Sequence, residues 1–337
     1  MKGQKAFIIL FAAGLFFKFF WGRYKSILCK KNNKIHAKPL RRKGIAKKTL
    51  GVPLSRSRDV FAYAFAFWGC WLGCTESPFD GTVAPSPTKI TGQVDLLDTL
   101  NDEKGVYVWL SGLNIGTYTD STGAFRLELP KNVNKDLNGT FTLYFYVANY
   151  NLNTAEIVIR NGQFLFGFGA LTAQGRIKDT IKMFKILDIK TIVDPPIVRR
   201  SYAGPIDMLV TLQATVDSVA VVFPKSVGGL VGGIFFRHLQ TGQIYIDIPD
   251  VGADTRETVV IRREPRSRRQ VFQLDGTNFR ELFLPPGRYH VIPFFFVAHE
   301  NLPHELLLSL GEHVEEPSTD YLKIPFRRQD GQFQVIE

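Results

Sequence analysis

The sequence predicts an all-β fold, in which an antiparallel β-sandwich is followed by a second β-rich domain with one short helix. Three observations favour this class. Apolar and polar residues alternate with a period of two in most segments after residue 90, as strands require. Turn-forming Gly, Asn, Asp and Pro separate these segments. Residues 90–170 show hardly any helical period, which favours a sandwich.

Charge separates a basic N-terminal part of the chain from a mildly acidic remainder. Residues 1–58 carry 16 basic and no acidic side chains, whereas 26 basic and 30 acidic side chains follow Asp59. The formal net charge of +11 therefore comes from a segment without the periodicity of a folded domain. Nucleic acid, which a basic protein usually suggests as a partner, is not predicted. No cofactor is predicted either.

Residues 54–74 have the anatomy of a secretory signal: two arginines, an uncharged run of 13 residues, and then Cys74. This order resembles the lipobox of bacterial lipoproteins, although Trp71 and Leu72 depart from its usual pattern. The resemblance implies that Cys74 is lipidated and becomes the new N-terminus. Cys70 is disfavoured because cleavage there would leave apolar residues at the mature end. A short membrane anchor or a buried helix is the alternative, but the run is too short to span a bilayer comfortably.

Residues 1–53 form a basic segment in which no domain is recognised. Met1 is the only methionine before Met183, so one hypothesis is that translation begins later, near Val52 or Leu54, and that this segment is a wrongly assigned start. The alternative is a genuine extra anchor with a basic cytoplasmic loop, which the positive-inside tendency permits.

Residues 75–89 are rich in proline and turn formers, which predicts an extended tether. The first sandwich is predicted for residues 90–170. Its strands alternate in "GVYVWLSG", "AFRLEL" and "TFTLYFYV". The turn formers "TDSTG" at 119–123 and "NG" at 138–139 lie between them, because these residues tolerate the backbone angles of tight turns.

About 80 of the 337 residues resemble the carboxypeptidase regulatory-like domain, a transthyretin-like β-sandwich. The matching features are a glycine in the first strand, a Gly-Val pair opening the next, and Thr-Asp-x-x-Gly-x-Phe at a hairpin. They fall here at Gly92, Gly105, Val106, Thr119, Asp120, Gly123 and Phe125. The resemblance implies the sandwich fold but no activity, since the module occurs in many unrelated proteins.

Residues 171–337 predict a second β-rich domain for which no family is recognised. The strand-like segments are "DMLVTLQATV", "SVAVVFP", "GQIYIDIP", "ETVVIRR", "QVFQL" and "GRYHVIPFFFV". One helix is predicted at 303–310, because Pro303 suits a first turn, leucines recur on one side, and Gly311 suits a stop.

Three motifs in this region suggest ligands but are interpreted structurally. The segment "HENLPHE", residues 299–305, lacks the H-E-x-x-H spacing and a third ligand, so no metal site is predicted. His313 opens an H-x-x-E sequence, but no histidine follows it to complete the zinc site of a carboxypeptidase. The glycine-rich "GGLVGG", residues 228–233, lacks the Lys and Ser or Thr of a phosphate loop and predicts a bulge or tight bend.

Aromatic residues form a row on the face of the first sheet opposite its predicted core. Such a row can stack on sugar rings, which makes it a candidate glycan-binding site; alternatively, it is buried where the two domains meet. The residues are Tyr107, Trp109, Tyr144 and Tyr146.

Arginines are concentrated in "IRREPRSRR", residues 261–269. They are candidates for contact with an anionic surface such as lipid headgroups or acidic glycans. The alternative is a solvated hairpin tip, because Pro265 and Ser267 favour a loop. The candidate residues are Arg262, Arg263, Arg266, Arg268 and Arg269.

No catalytic residues are predicted, since the sequence contains no Gly-x-Ser-x-Gly elbow and no cysteine and histidine pair after Cys74. We therefore expect a lipoprotein of the bacterial cell envelope, lipid-anchored to a membrane and facing the periplasm or the exterior. Its expected role is noncatalytic, in structure, adhesion or protein interaction. A glycan-binding surface module and an unrecognised hydrolase are the alternatives. The expected partners are the membrane, through the N-terminal lipid, and envelope proteins or glycans.

Overall fold

β-Strands dominate the computed structural model, which describes residues 86–98, 102–249, 255–274 and 282–337. The predicted all-β class is confirmed. Residues 79–337 belong to one compact unit. The predicted segments at 1–53 and 54–74, with Cys74, and most of the tether lie outside the described residues. Within the described ranges, no helix has the length and apolar character to cross a bilayer.

The first sandwich consists of a three-stranded and a five-stranded sheet, ordered β4-β1-β8 and β3-β2-β5-β6-β7. Its strands are β1 (Lys89–Leu96), β2 (Tyr107–Leu110), β3 (Ile115–Tyr118), β4 (Ala124–Glu128), β5 (Gly139–Tyr146), β6 (Asn153–Arg160), β7 (Gln163–Phe164) and β8 (Ile181–Met183). All pairs are antiparallel except β1 with β8. Because β8 pairs with β1, this sandwich extends beyond its predicted limit at residue 170.

The turn at 119–123 shows why the sequence "TDSTG" connects β3 to β4. The Asp120 carboxylate accepts hydrogen bonds from the backbone N–H and hydroxyl of Thr122, at 2.9 and 2.7 Å, and from the Ala124 N–H at 3.1 Å. The bonds from Thr122 lower the pKa of Asp120. Gly123 has φ +80°, and a Cβ there would lie 2.0 Å from the Val94 carbonyl oxygen. Only glycine fits this position without strain.

The second sandwich contains a five-stranded sheet ordered β10-β19-β17-β13-β14 and two three-stranded sheets, β16-β11-β9 and β15-β12-β18. Its strands are β9 (Leu187–Asp194), β10 (Ile197–Arg199), β11 (Ile206–Ala214), β12 (Val219–Pro224), β13 (Ile234–His238), β14 (Ile244–Asp247), β15 (Arg256–Ile261), β16 (Arg266–Phe272), β17 (Gly287–Pro293), β18 (Phe296–Val297) and β19 (Gly331–Ile336). The pair β10 and β19 is parallel.

The predicted helix is confirmed as α1 (His304–Leu310), which follows Pro303 and precedes Gly311. The sequence "HELLLSL" buries Leu306 and Leu310 on one side and exposes Leu308 on the other. A short 3₁₀ helix (Thr319–Lys323) follows, and the side chain of Ser318 accepts a hydrogen bond at its start.

A third apolar core joins the two sandwiches, in addition to the core inside each of them. From the first sandwich it contains residues of β2 and β5, and from the second it contains residues of β13, α1 and the 3₁₀ helix. Tyr321 stands near its centre: its ring stacks on Phe235 at 5.2 Å, and its hydroxyl donates to the Phe295 carbonyl at 2.9 Å. The two sandwiches therefore share buried surface and form one body.

Candidate functional site

The aromatic row of the first sandwich lies in the junction core and is covered. Tyr107, Trp109 and Tyr146 are each at most 6% exposed, and Tyr144 is half-buried. The Tyr107 hydroxyl lies 2.9 Å from the hydroxyl of Ser309 in α1. This burial agrees with the alternative that the sequence offered, in which the row lies where the two domains meet. It rules out the glycan platform, because a sugar has no open row of ring faces on which to stack.

The histidines of "HENLPHE" do not converge. The Nε2 of His299 donates to the Ala148 carbonyl at 2.7 Å, the ring lies edge-on to Tyr146, and burial lowers the pKa of His299. By contrast, His304 is exposed and its Nδ1 lies 3.6 Å from a carboxylate oxygen of Glu315. Among the described residues there is no group of three His, Cys, Asp or Glu side chains that could hold a metal ion.

One of the five candidate surface arginines is a structural residue. The guanidinium of Arg268 donates to both carboxylate oxygens of Glu257, at 2.7 and 3.0 Å, and to the Leu230 carbonyl at 2.8 Å. It lies 4.2 Å from the centre of the Phe223 ring. These hydrogen bonds lower the pKa of Glu257. Because the Arg268 side chain is only 10% exposed, it is not available to a membrane, which corrects that part of the prediction.

The other four arginines differ in their pairing. Arg269 forms two hydrogen bonds with Asp207, and Arg263 forms one with Asp217 at 3.0 Å. The remaining two, Arg262 and Arg266, are exposed and have no ion-pair partner in the described part of the chain. The segment is also not a hairpin tip, because β15 and β16 belong to different sheets and the arginine run already enters β16. It forms the corner between those sheets.

Hydrogen bonds of Asn149 connect the C-terminal part of the second sandwich to the first. Its side-chain amide donates to the carbonyls of Leu187 and Arg327, at 3.0 and 2.7 Å, and accepts from the Arg327 N–H at 2.9 Å. Asn149 is fully buried, so these bonds satisfy an amide that would otherwise be costly to bury. The Arg327 guanidinium also donates to the Lys104 carbonyl of the first sandwich at 2.7 Å. Residues 326–329 are thereby held along the edge of β9.

A cleft of about 710 Å³ lies between these residues and the outer face of β9 and β11. Opposite pairs in the strand register form its floor: Lys190 faces Thr211, and Asp188 faces Gln213. We call this the seam cleft, and its lining residues are Lys185, Asp188, Ile189, Lys190, Thr211, Gln213, Phe326, Arg327, Arg328 and Gln329.

A second cleft, of about 560 Å³, lies beside the 119–123 turn of the first sandwich. Its charged side chains are Arg126, Arg176 and Asp120. The Asp120 carboxylate is already engaged by the turn that it stabilises. The seam cleft is therefore the better candidate site, because it combines a larger volume with more cationic side chains.

Sequence reasoning did not find the seam cleft. Lys190 and Arg327 are far apart in the chain, and only the long return of residues 326–329 to β9 brings them together. One signal was present: "LDIKTIVD" alternates in period two, which places Asp188 and Lys190 together on the solvent side of a strand. Nothing local to either segment indicates that the two would meet.

Fold and site together define a class: a protein of two fused β-sandwiches with a cation-lined cleft at their seam. No family model matches the chain, and no curated protein matches it. Among solved structures, the chain is similar to a DUF4876 family protein from Bacteroides thetaiotaomicron, at 11% identity and a TM-score of 0.15. This match covers 47% of the present chain and 37% of that one, which is less than two thirds of its length.

Proposed function

We propose that this protein is a lipoprotein of the bacterial cell envelope with a noncatalytic interaction role. A lipid on Cys74 holds it on a membrane, residues 75–89 act as the tether, and the two sandwiches face the periplasm or the exterior. The order of charged, apolar and cysteine residues at 54–74 supports the anchor. Each buried methylene of an acyl chain contributes ~0.8 kcal/mol, so more than one chain is needed for stable attachment.

The shared core of the two sandwiches is the observation that carries the proposed interaction role. Two domains on a flexible link would present their surfaces in changing orientations, whereas the buried aromatic row fixes these two as one body. Such a body on a tether is suited to holding a recognition surface at a set distance from a membrane. Envelope proteins and glycans are the proposed classes of partner.

The first sandwich is proposed to be a carboxypeptidase regulatory-like domain. Its two sheets and the Asp120 and Gly123 turn support this, because the turn uses those residue types for the reasons that the motif requires. The proposal assigns it no activity. Its role here is to bury the aromatic row against the second sandwich and to supply Asn149 and Lys104 to the seam.

Metabolic labelling with radioactive palmitate tests the anchor. We expect the wild-type protein and the Cys70→Ser variant to be labelled and to fractionate with membranes, and the Cys74→Ser variant to lose both properties. Mass spectrometry of the purified wild-type product should show an acylated N-terminal cysteine at position 74. A mature product that retains peptide upstream of this residue, or that carries a free thiol there, would refute the anchoring proposal.

A further inference from the structure

The seam cleft concentrates positive charge on a body that is otherwise slightly acidic. Four of its lining residues are cationic, and only Asp188 is acidic. The Lys190 ammonium has no ion-pair partner among the described residues, while Lys185 lies 3.3 Å from Asp188. Concave surfaces lined with charge of one sign focus their field and attract ligands of the opposite sign. The charge of the cleft therefore favours an anionic ligand.

The remaining two cations have structural contacts that hold them in place. The Arg328 Nε lies 3.0 Å from an Asp330 carboxylate oxygen, and its guanidinium covers the Phe326 ring at 4.5 Å. Arg327 is fixed by its bond to the Lys104 carbonyl. The wall of the cleft is thus preorganised, which reduces the entropy lost when a ligand binds. Lys190 is left as the group best able to bind an incoming carboxylate, because Lys185 is already paired with Asp188.

Neutral polar groups accompany the charges on the floor. The Gln213 Nε2 donates to the Arg263 carbonyl at 2.9 Å, which leaves the oxygen of the same amide able to accept. Thr211 shares a hydrogen bond with Ser267 at 2.9 Å and has further bonding capacity. Gln329 is exposed and brings a second amide. Amides and hydroxyls that can both donate and accept suit a ligand with many hydroxyl groups.

A peptide that adds a strand to the sheet does not fit this place. The Thr191 N–H already donates to the Gln329 carbonyl at 2.9 Å, and the Gln329 N–H donates to the Ile189 carbonyl at 3.0 Å. The backbone of the β9 edge is therefore satisfied beside the cleft, and recognition there must use side chains. The only aromatic ring of its lining, Phe326, is covered by Arg328, so a nucleobase has no open ring for stacking.

We infer that the seam cleft binds a short acidic oligosaccharide, with Lys190 at a carboxylate and Thr211, Gln213 and Gln329 at its hydroxyls. The volume of about 710 Å³ lies within the range of ligand pockets, ~300–1,000 Å³. This inference gives a partner class to the interaction role proposed above, but it depends on the cleft alone. It places saccharide recognition far from the buried aromatic row.

Calorimetric titration of the full chain in detergent with trigalacturonate tests the inference. The fully methyl-esterified trimer serves as the uncharged ligand of the same skeleton, and inorganic phosphate serves as a simple anion. We expect binding of the acidic trimer only, weakened by added salt because the attraction is electrostatic. Lys190→Gln should weaken binding about tenfold or more, since a charged hydrogen bond is lost. Lys182→Gln, which changes an exposed lysine of β8 outside the cleft, should leave binding unchanged.

Each other outcome overturns the inference. Absence of trigalacturonate binding excludes acidic saccharide recognition, and equal binding of the methyl ester excludes a role for the charge. Binding of phosphate as strong as that of the trimer would show a simple anion site. Binding that Lys190→Gln does not weaken would place the saccharide elsewhere. None of these results affects the anchoring proposal, which the labelling of Cys74 tests separately.

Discussion

Leu306 provides the most direct test of the core that the two sandwiches share. It is fully buried in the third apolar core, whereas Leu308, two residues along the same helix, is 43% exposed. The substitutions Leu306→Ala and Leu308→Ala are therefore chemically identical and differ only in the side of α1 that they change. Because alanine is at least as good a helix former as leucine, neither substitution should weaken the helix itself.

The expected magnitudes are well separated. Replacing a fully buried leucine with alanine removes its transfer free energy and leaves a cavity, which together cost ~2–5 kcal/mol. At the exposed position the change should stay within ~0.5 kcal/mol. Total stabilities of domains are ~5–15 kcal/mol, so the first substitution removes a large fraction of the stability and the second almost none.

The fluorescence of Trp109 reports on this core. In a variant truncated to residues 75–337, Trp109 is the only tryptophan. It lies in the shared core and is 2% exposed. Urea unfolding should give coincident transitions by tryptophan emission and by far-ultraviolet circular dichroism, since the two sandwiches unfold together. Leu306→Ala should move both to lower urea. The reasoning is refuted if the two leucine variants lose equal stability, or if emission changes well before circular dichroism.

Two further predictions concern single buried contacts. Arg268→Ala should lower the free energy of unfolding by about 1–3 kcal/mol, because it removes both charged hydrogen bonds to Glu257 and leaves Ser226 as a donor to that carboxylate. Exposed Arg262→Ala should change it by less than ~0.5 kcal/mol, and equal losses in urea unfolding would contradict the structural role of Arg268. Burial lowers the pKa of His299 in the folded protein. As the pH falls, His299 therefore takes up its proton in the unfolded chain before it does so in the folded protein, and the free energy of unfolding should decrease below about pH 6.5. His299→Gln, whose amide can still donate to the Ala148 carbonyl, should flatten this dependence. If the free energy of unfolding has the same slope in the wild type and in the variant from about pH 7.5 to 5, His299 is not its source.

Local patterns in the sequence predicted the elements whose causes are local. The alternation of β4 and β5, the helix after Pro303, and the turn around Asp120 and Gly123 all depend on residues within a few positions of one another. Strand β13 was not predicted, because "IFFRH" buries nearly every residue and so lacks the alternation of a half-exposed strand. Strand β9 was also missed, although its alternation is regular.

Features that depend on distant partners could not be predicted. The sequence shows an arginine run at 261–269, but the carboxylates that neutralise Arg263 and Arg269 come from Asp217 and Asp207. Period two correctly separates the two faces of a sheet, yet it does not say what covers the outer face. The sequence therefore left two interpretations of the aromatic row open, a glycan platform and burial between the domains, and the packing of α1 on the row decides for burial.

The burial of the aromatic row and the formation of the seam cleft have the same structural cause. The floor of the cleft comes from β9 and β11 of the second sandwich, but Asn149 and Lys104 of the first sandwich hold Arg327 in its wall. An isolated second sandwich would lack both contacts, so its residues 326–329 would lose part of what positions them. Docking of the sandwiches removes one candidate ligand surface, the aromatic row, and at the same time organises another. The proposed recognition site therefore belongs to the fused body and to neither sandwich alone.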